Sequence, residues 1–210
     1  MFPVGAFTLS NGLETYVQKG IIADKESLEK YLAGQLAVLP YSDLGFAAKT
    51  ALGEDFRVLD GLCTASKSAF ELREGNRKLC ARFLKLQNSL GCYPLLEQYL
   101  ADINSGECSG CHCIAVGLLI RETAVSSALL EQGLNMYCYS ILSTSVNHAV
   151  KLVPLRQSDG QQTLADAVLK IPSACAKAMA ADITELGVSG TGFELRAMQH
   201  EKLYSRLYIS

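Results

Sequence analysis

The stretch VSSALLEQGLNMYCYSILSTSVNHAV, residues 125–150, decides the fold class. It is long, apolar and hydroxyl-rich, and its one formal charge before Lys151 is Glu131. A helix this uncharged is expected in the middle of a bundle. Its Ser, Thr and Asn side chains can bond backbone or neighbouring helices, which keeps buried polar groups paired.

Working outward, the same period continues in both directions. Asp24 is an N-cap candidate ahead of KESLEKYLAGQLAVL, where Leu28, Tyr31, Leu32, Leu36 and Leu39 mark one helical face. Helices are expected over Asp43–Leu52 and Phe56–Ala65. Ser68–Leu90 is strongly amphipathic, with an apolar stripe of Leu72, Leu79, Phe83, Leu86 and Leu90. Its Arg73, Arg77, Lys78, Arg82 and Lys85 read as a solvated face, Glu74 is placed for an ion pair with Lys78, and Gly91 marks the stop. Pro94–Ile103 and His112–Glu122 are further helices. After Pro154, Ser158-Asp159-Gly160 reads as a turn into Gln161–Leu169. Pro172–Leu186 follows, then a Gly187–Gly192 loop and a last helix over Phe193–Leu207. No period-2 run of convincing length, internal repeat or linker interrupts this series. The expectation is an all-α, single-domain bundle of roughly eight to ten helices over residues 1–210.

Composition narrows the function classes. Hydrophobic residues make up 49% and charged residues 19%, which argues against disorder. A net charge of -2 argues against a nucleic-acid binder, which carries a basic excess. The most membrane-like run, Cys113–Ile120, is far shorter than the roughly 20 apolar residues of a membrane span. The opening residues lack the basic region of a secretory signal, so the chain is expected to be soluble and cytoplasmic, with its 8 Cys mostly reduced and buried.

Catalytic signatures are weak. There is no GxxxxGK[ST], no strand-borne GxGxxG and no GxSxG elbow. The histidines are His112, His148 and His200, and nothing pairs one of them with a nucleophile. The sharpest local chemistry is ECSGCHC, residues 107–113. Cys108, Cys111, His112 and Cys113 offer ligands suited to zinc, copper(I) or nickel. Structural zinc sites use two separated ligand pairs, however, and adjacent side chains here point apart. The ordinary reading is a turn and helix start lined with packed thiols.

Three motifs, read together, resemble the UreF family of urease accessory proteins. The first is FPVGAFTLSNGLE, residues 2–14, where Pro3, Val4, Gly5, Phe7, Ser10, Gly12, Leu13 and Glu14 fit the family pattern. The second is AVKLVPLRQSDGQQTL, residues 149–164, and the third is the tail MQHEKLYSRLYIS, residues 198–210. Family members usually carry further residues ahead of the first motif, often a D-S pair; here Met1 stands almost directly on it. The cysteine cluster is not part of the pattern.

The resemblance implies an all-α protein that dimerises and does no chemistry itself. Such proteins join UreD (UreH in some organisms) and the GTPase UreG to support nickel loading into apo-urease. It further implies no tightly bound cofactor, nickel being handled by the complex and GTP by UreG. The expected partner surfaces are the first motif and the tail: Phe2, Pro3, Phe7, Glu14, His200, Glu201, Tyr204, Arg206 and Tyr208. The alternatives are a stand-alone thiol-based metal binder using Cys108, Cys111 and Cys113, and a small helical enzyme with a spatially assembled site.

Overall fold

The computed structural model describes residues 6–188 and 190–209, so the expected partner residues Phe2 and Pro3 lie outside the described residues, as does the side chain of Phe7. Helices dominate, and no strand occurs among the described residues. In chain order they are α1 (Leu13–Gln18), α2 (Lys25–Val38), α3 (Asp43–Leu52), α4 (Phe56–Ser66), α5 (Phe70–Leu90) and α6 (Pro94–Ser105). There follow α7 (His112–Thr123), α8 (Ser127–Leu152), α9 (Gln157–Val168), α10 (Ile171–Ala180) and α11 (Thr191–His200). One continuous core of buried residues runs from Leu13 to Ala178.

Local signals explain several helix starts. Asp24 caps α2 as expected: its carboxylate accepts from the Ser27 N–H at 2.9 Å, and the Ser27 hydroxyl accepts in return from the Asp24 N–H. Ser126 caps α8 and Asp55 caps α4. The α3–α7 pair forms the centre. Gly117 of α7 lies so close to α3 that a Cβ there would stand 2.5 Å from the Ala47 carbonyl oxygen. That approach buries Leu44 and Phe46 of α3 and Ile114 and Leu118 of α7, each such side chain contributing roughly 1.5–3 kcal/mol.

α8 is central only from Leu134 onward, where Tyr137, Cys138, Leu142, Val146 and Ala149 are buried against α1, α3, α9 and α10. Its first turns are exposed, including Leu129 and Glu131, and the outer side stays exposed past Leu134 at Met136 and Tyr139. Low charge therefore marks two different surfaces along this one helix, an inner face and an uncharged outer face.

Other boundaries and pairings differ from the sequence expectation for physical reasons. In α5 the buried face turns toward Cys80, Phe83, Leu84 and Gln87, which meet α7, while Leu90 is exposed at the helix end. Glu74 pairs with Arg77 at 2.9 Å, one residue short of the Lys78 partner expected. Arg73 turns back to the Lys67 and Ser68 carbonyls at 2.7 and 2.8 Å. Helix α9 starts at Gln157, so Ser158-Asp159-Gly160 is its first turn rather than a turn before it. The break falls on Pro154–Arg156, and Asp159 places its charge at the positive helix end. α10 stops at Ala180; Asp182 and Glu185 then cap each other's backbone in a short 3₁₀ turn, Ile183–Glu185. α11 ends at His200, where the Lys202 and Leu203 N–H groups close tight turns on the Gln199 and His200 carbonyls at 3.1 Å, and the Leu207 and Tyr208 amides farther on find other acceptors.

Candidate functional site

Those acceptors belong to the first motif. Glu14, in the first turn of α1, is 2% exposed, and His200, at the end of α11, is fully buried. The Glu14 carboxylate accepts the Leu207 N–H at 2.7 Å, the Tyr208 N–H at 3.1 Å, and faces His200 Nε2 at 3.1 Å. His200 Nδ1 faces the Glu71 carboxylate of α5 at 2.6 Å, and Arg206 closes the network on the other Glu71 oxygen at 2.7 Å. Burial works to raise the Glu14 pKa, but the Leu207, His200 and Tyr208 hydrogen bonds hold it below the ordinary value.

The tail is fixed at further points. The Ile209 N–H reaches the Thr8 carbonyl at 2.9 Å, and the Gln18 side chain donates to the Ser205 carbonyl at 2.9 Å. Tyr208 turns inward and lies 4.4 Å, ring to ring, from His148 of α8. Beneath it, Tyr16, Tyr31 and Phe193 join α1, α2 and α11 through ring contacts of 5.2–6.0 Å. Gly12 makes this junction possible: its φ is +82°, and a Cβ there would stand 2.8 Å from the Ala197 backbone nitrogen of α11. Buried Glu14, His200 and Tyr208 thus hold the tail onto the bundle, whereas Glu201, Tyr204, Leu207 and Ile209 face solvent, as does much of Arg206.

The sequence profile of the UreF family matches residues 22–168. The chain belongs to the UreF family. Curated relatives extend the likeness through both ends. "Urease accessory protein UreF" of Actinobacillus pleuropneumoniae is 34% identical across 99% of this chain and 93% of its own length. The protein of the same name from Haemophilus influenzae strain PittEE is 34% identical, covering 99% and 90%. That of Paenarthrobacter aurescens strain TC1 is 30% identical, covering 99% and 92%. In this UreF-family chain the first motif, the end of α8 and the tail, far apart in sequence, meet at Glu14, His148, His200 and Tyr208.

The cysteine motif is organised by a residue the sequence reading missed. Asp60 of α4 is buried and accepts N–H groups of Ser109 (2.6 Å), Gly110 (3.2 Å) and Cys111 (3.0 Å) and the Tyr99 hydroxyl (2.5 Å). The turn is therefore wrapped around a carboxylate. Its side chains diverge. Cys108 lies near Arg57, Asp60 and Asp102, while the Cys111 sulfur meets the Thr64 hydroxyl at 3.3 Å. His112 packs edge-on to Phe83 at 5.4 Å and faces Tyr137 at 6.0 Å. Burial lowers its pKa to about 4, so the ring is neutral near pH 7 despite the opposing pull of Asp43.

Cys113 meets Cys63 of α4, sulfur to sulfur, at 3.5 Å, and the Cys111 thiol also contacts Cys63. Beside them the Lys67 ammonium binds the Asp43 carboxylate at 2.7 Å. Burial alone would raise Asp43, and the Lys67 charge holds it low. The Cys63 hydrogen bond lowers the Cys113 thiol, but burial and the Asp43 charge outweigh it and bring it to about 11. Asp43, Lys67, Asn76, His112 and Tyr137 line one side of a partly open pocket of about 210 Å³.

Among the described residues no helix is long and apolar enough to cross a membrane. Neither Glu71, Asp43 nor Asp60 had any local sequence signal.

Proposed function

We propose that this UreF-family chain serves urease maturation as a non-catalytic scaffold. In this reading it joins UreD/UreH and the GTPase UreG and supports GTP-dependent nickel insertion into apo-urease. Nickel is then handled by the complex and GTP by UreG, with no cofactor held tightly by this chain. It works as a homodimer in the cytoplasm. Supporting this are the near full-length relatives named urease accessory proteins.

The observation that carries the reading is the built tail. A buried three-residue network, Glu14–His200–Glu71, holds an extended segment whose Tyr204, Leu207 and Ile209 face solvent. Building an inward hydrogen-bond network to display apolar side chains makes sense where those side chains meet another protein, since exposed apolar patches mark interaction sites and aromatic anchors dominate interface energetics. Glu201 and Arg206 border them and would set orientation.

Co-purification of the chain with UreD and UreG, with and without nickel and GTP, tests it. Full-length chain is expected to hold the complex. A chain lacking residues 204–210 is expected to bind at least about tenfold more weakly, a loss of about 1.4 kcal/mol, while keeping its helical circular dichroism. Urease from a deletion strain should lack nickel; normal nickel content there would sink the proposal.

A further inference from the structure

Asp43 (α3), Cys63 (α4) and Cys113 (α7) each offer one ligand atom, and these three atoms lie within 4.8 Å of one another. None of them takes part in the tail junction. The two sulfurs are 3.5 Å apart. In a tetrahedral zinc site, Zn–S bonds of about 2.3 Å place two sulfurs about 3.8 Å apart, so the pair needs to open by only a few tenths of an ångström. The three ligands come from three helices packed around the core, which fixes them more firmly than a loop would.

We propose that Asp43, Cys63 and Cys113 form a binding site for a borderline-soft divalent cation of the zinc class, with its fourth position toward the partly open pocket that Asp43 lines. The donor set of two thiolates and a carboxylate suits such a cation. Asp43 lines the cavity and is half-buried, so the site has an entry path. The charge balance is closed. Without metal, the Asp43 carboxylate and the Lys67 ammonium cancel and the thiols are neutral. One dication enters, the Cys63 and Cys113 thiols lose two protons to solvent, two metal–sulfur bonds form, and the net charge of the pocket is unchanged. Lys67 bonds one Asp43 oxygen, Oδ1, and leaves the other for the metal. Relative to the set suggested by the sequence, Cys113 stays, while Asp43 and Cys63 replace Cys108, Cys111 and His112.

This site is independent of the maturation reading, and its test does not involve urease. Cobalt(II) titrated into the reduced protein is expected to bind at one equivalent, with near-ultraviolet thiolate-to-metal charge transfer and visible bands of a four-coordinate ion. Zinc(II) should displace it. Cys63→Ser and Cys113→Ser should each weaken binding at least about tenfold, and Asp43→Asn should do so while leaving both thiols present. Cys108→Ser should bind as the wild type does. Since these core substitutions can compromise folding, a second measurement uses the unaltered chain. Zinc(II) is expected to slow alkylation of Cys63 and Cys113 at least about fivefold relative to Cys138 and Cys175, read by mass spectrometry. Absence of charge transfer, equal affinity in the Cys63→Ser chain, or equal slowing of all four thiols would each overturn the proposal.

Discussion

Glu14 takes two backbone N–H groups and faces an imidazole while 2% exposed, so its charge is held by the tail as much as the tail is held by it. Replacing it with Gln removes the charge and leaves His200 facing a neutral amide on one side and Glu71 on the other. The Leu207 and Tyr208 N–H groups lose their charged acceptor, hydrogen bonds to charged groups being worth roughly 1.5–3 kcal/mol, and the loss should fall on tail docking rather than on the core. Glu14→Gln is expected to expose Leu207 and Tyr208 amides to rapid hydrogen exchange and to speed tryptic cleavage after Arg206. The pH dependence has a definite sign. The folded-state pKa is lowered from 4.5, so the stabilisation is present above that value and fades as the pH falls below it. Tail protection should therefore drop in acid in the wild type, and the Gln variant should lack that Glu14-dependent drop. Equal protection of the two proteins at neutral pH would contradict this account. Glu14 and His200 were legible from the sequence as motif residues, but as surface residues. Their burial was not legible, because the pair is separated by 186 positions and Glu71, the third member, carries no motif of its own.

Helix α3 against α7 shows what a helix-scale reading can and cannot reach. Both helices were legible from periodicity, with boundaries matching to within a residue or so. Their mutual distance was not, since it depends on Gly117 meeting the Ala47 carbonyl across the pair. Helix propensity favours Ala over Gly by roughly 1 kcal/mol, so a helix-only argument predicts that Gly117→Ala stabilises. The packing argument predicts the reverse. A Cβ 2.5 Å from a backbone oxygen and 2.7 Å from the Thr50 Cβ forces the helices apart, and overpacking costs roughly 1–3 kcal/mol. Gly117→Ala is expected to lower the urea midpoint without changing helical content, and a raised midpoint would show that the pair yields freely. The same contrast explains the misread ends of α9, α10 and α11. After α10 and α11 the chain turns where a side chain satisfies amides, as Asp182 does for Thr184 and Glu14 does for the tail, whereas α9 opens on the Arg156 carbonyl directly after the Pro154 break.

For the whole molecule, the exposed half of α8 is the feature that a single bundle leaves unexplained. Leu129, Met136 and Tyr139 are 44%, 66% and 44% exposed and fall, with Gln132 between them, on one outer face. Val125, just before the helix, is also exposed. The sequence expectation of a central helix holds for the inner residues and fails for these, because low charge suits any surface hidden from water, within the chain or between chains. A contact related by two-fold symmetry sets residues close to the axis near their own copies, so formal charge there repels itself. A face of Leu, Gln, Met and Tyr avoids that repulsion, which is why the homodimer in the proposed function is placed here. In a dimer built on this face, Met136→Lys would put two ammonium groups near the axis and bury them without partners. It is expected to weaken self-association at least about tenfold, about 1.4 kcal/mol, while far-ultraviolet circular dichroism stays unchanged. Lys substituted for the exposed Leu169, on a different element, is expected to leave the dimer intact. Sedimentation velocity over a concentration series reads both. A Met136→Lys chain that dimerises as tightly as the wild type, or a wild type that stays monomeric at tens of micromolar, would remove α8 from the interface and leave its uncharged face to a different protein.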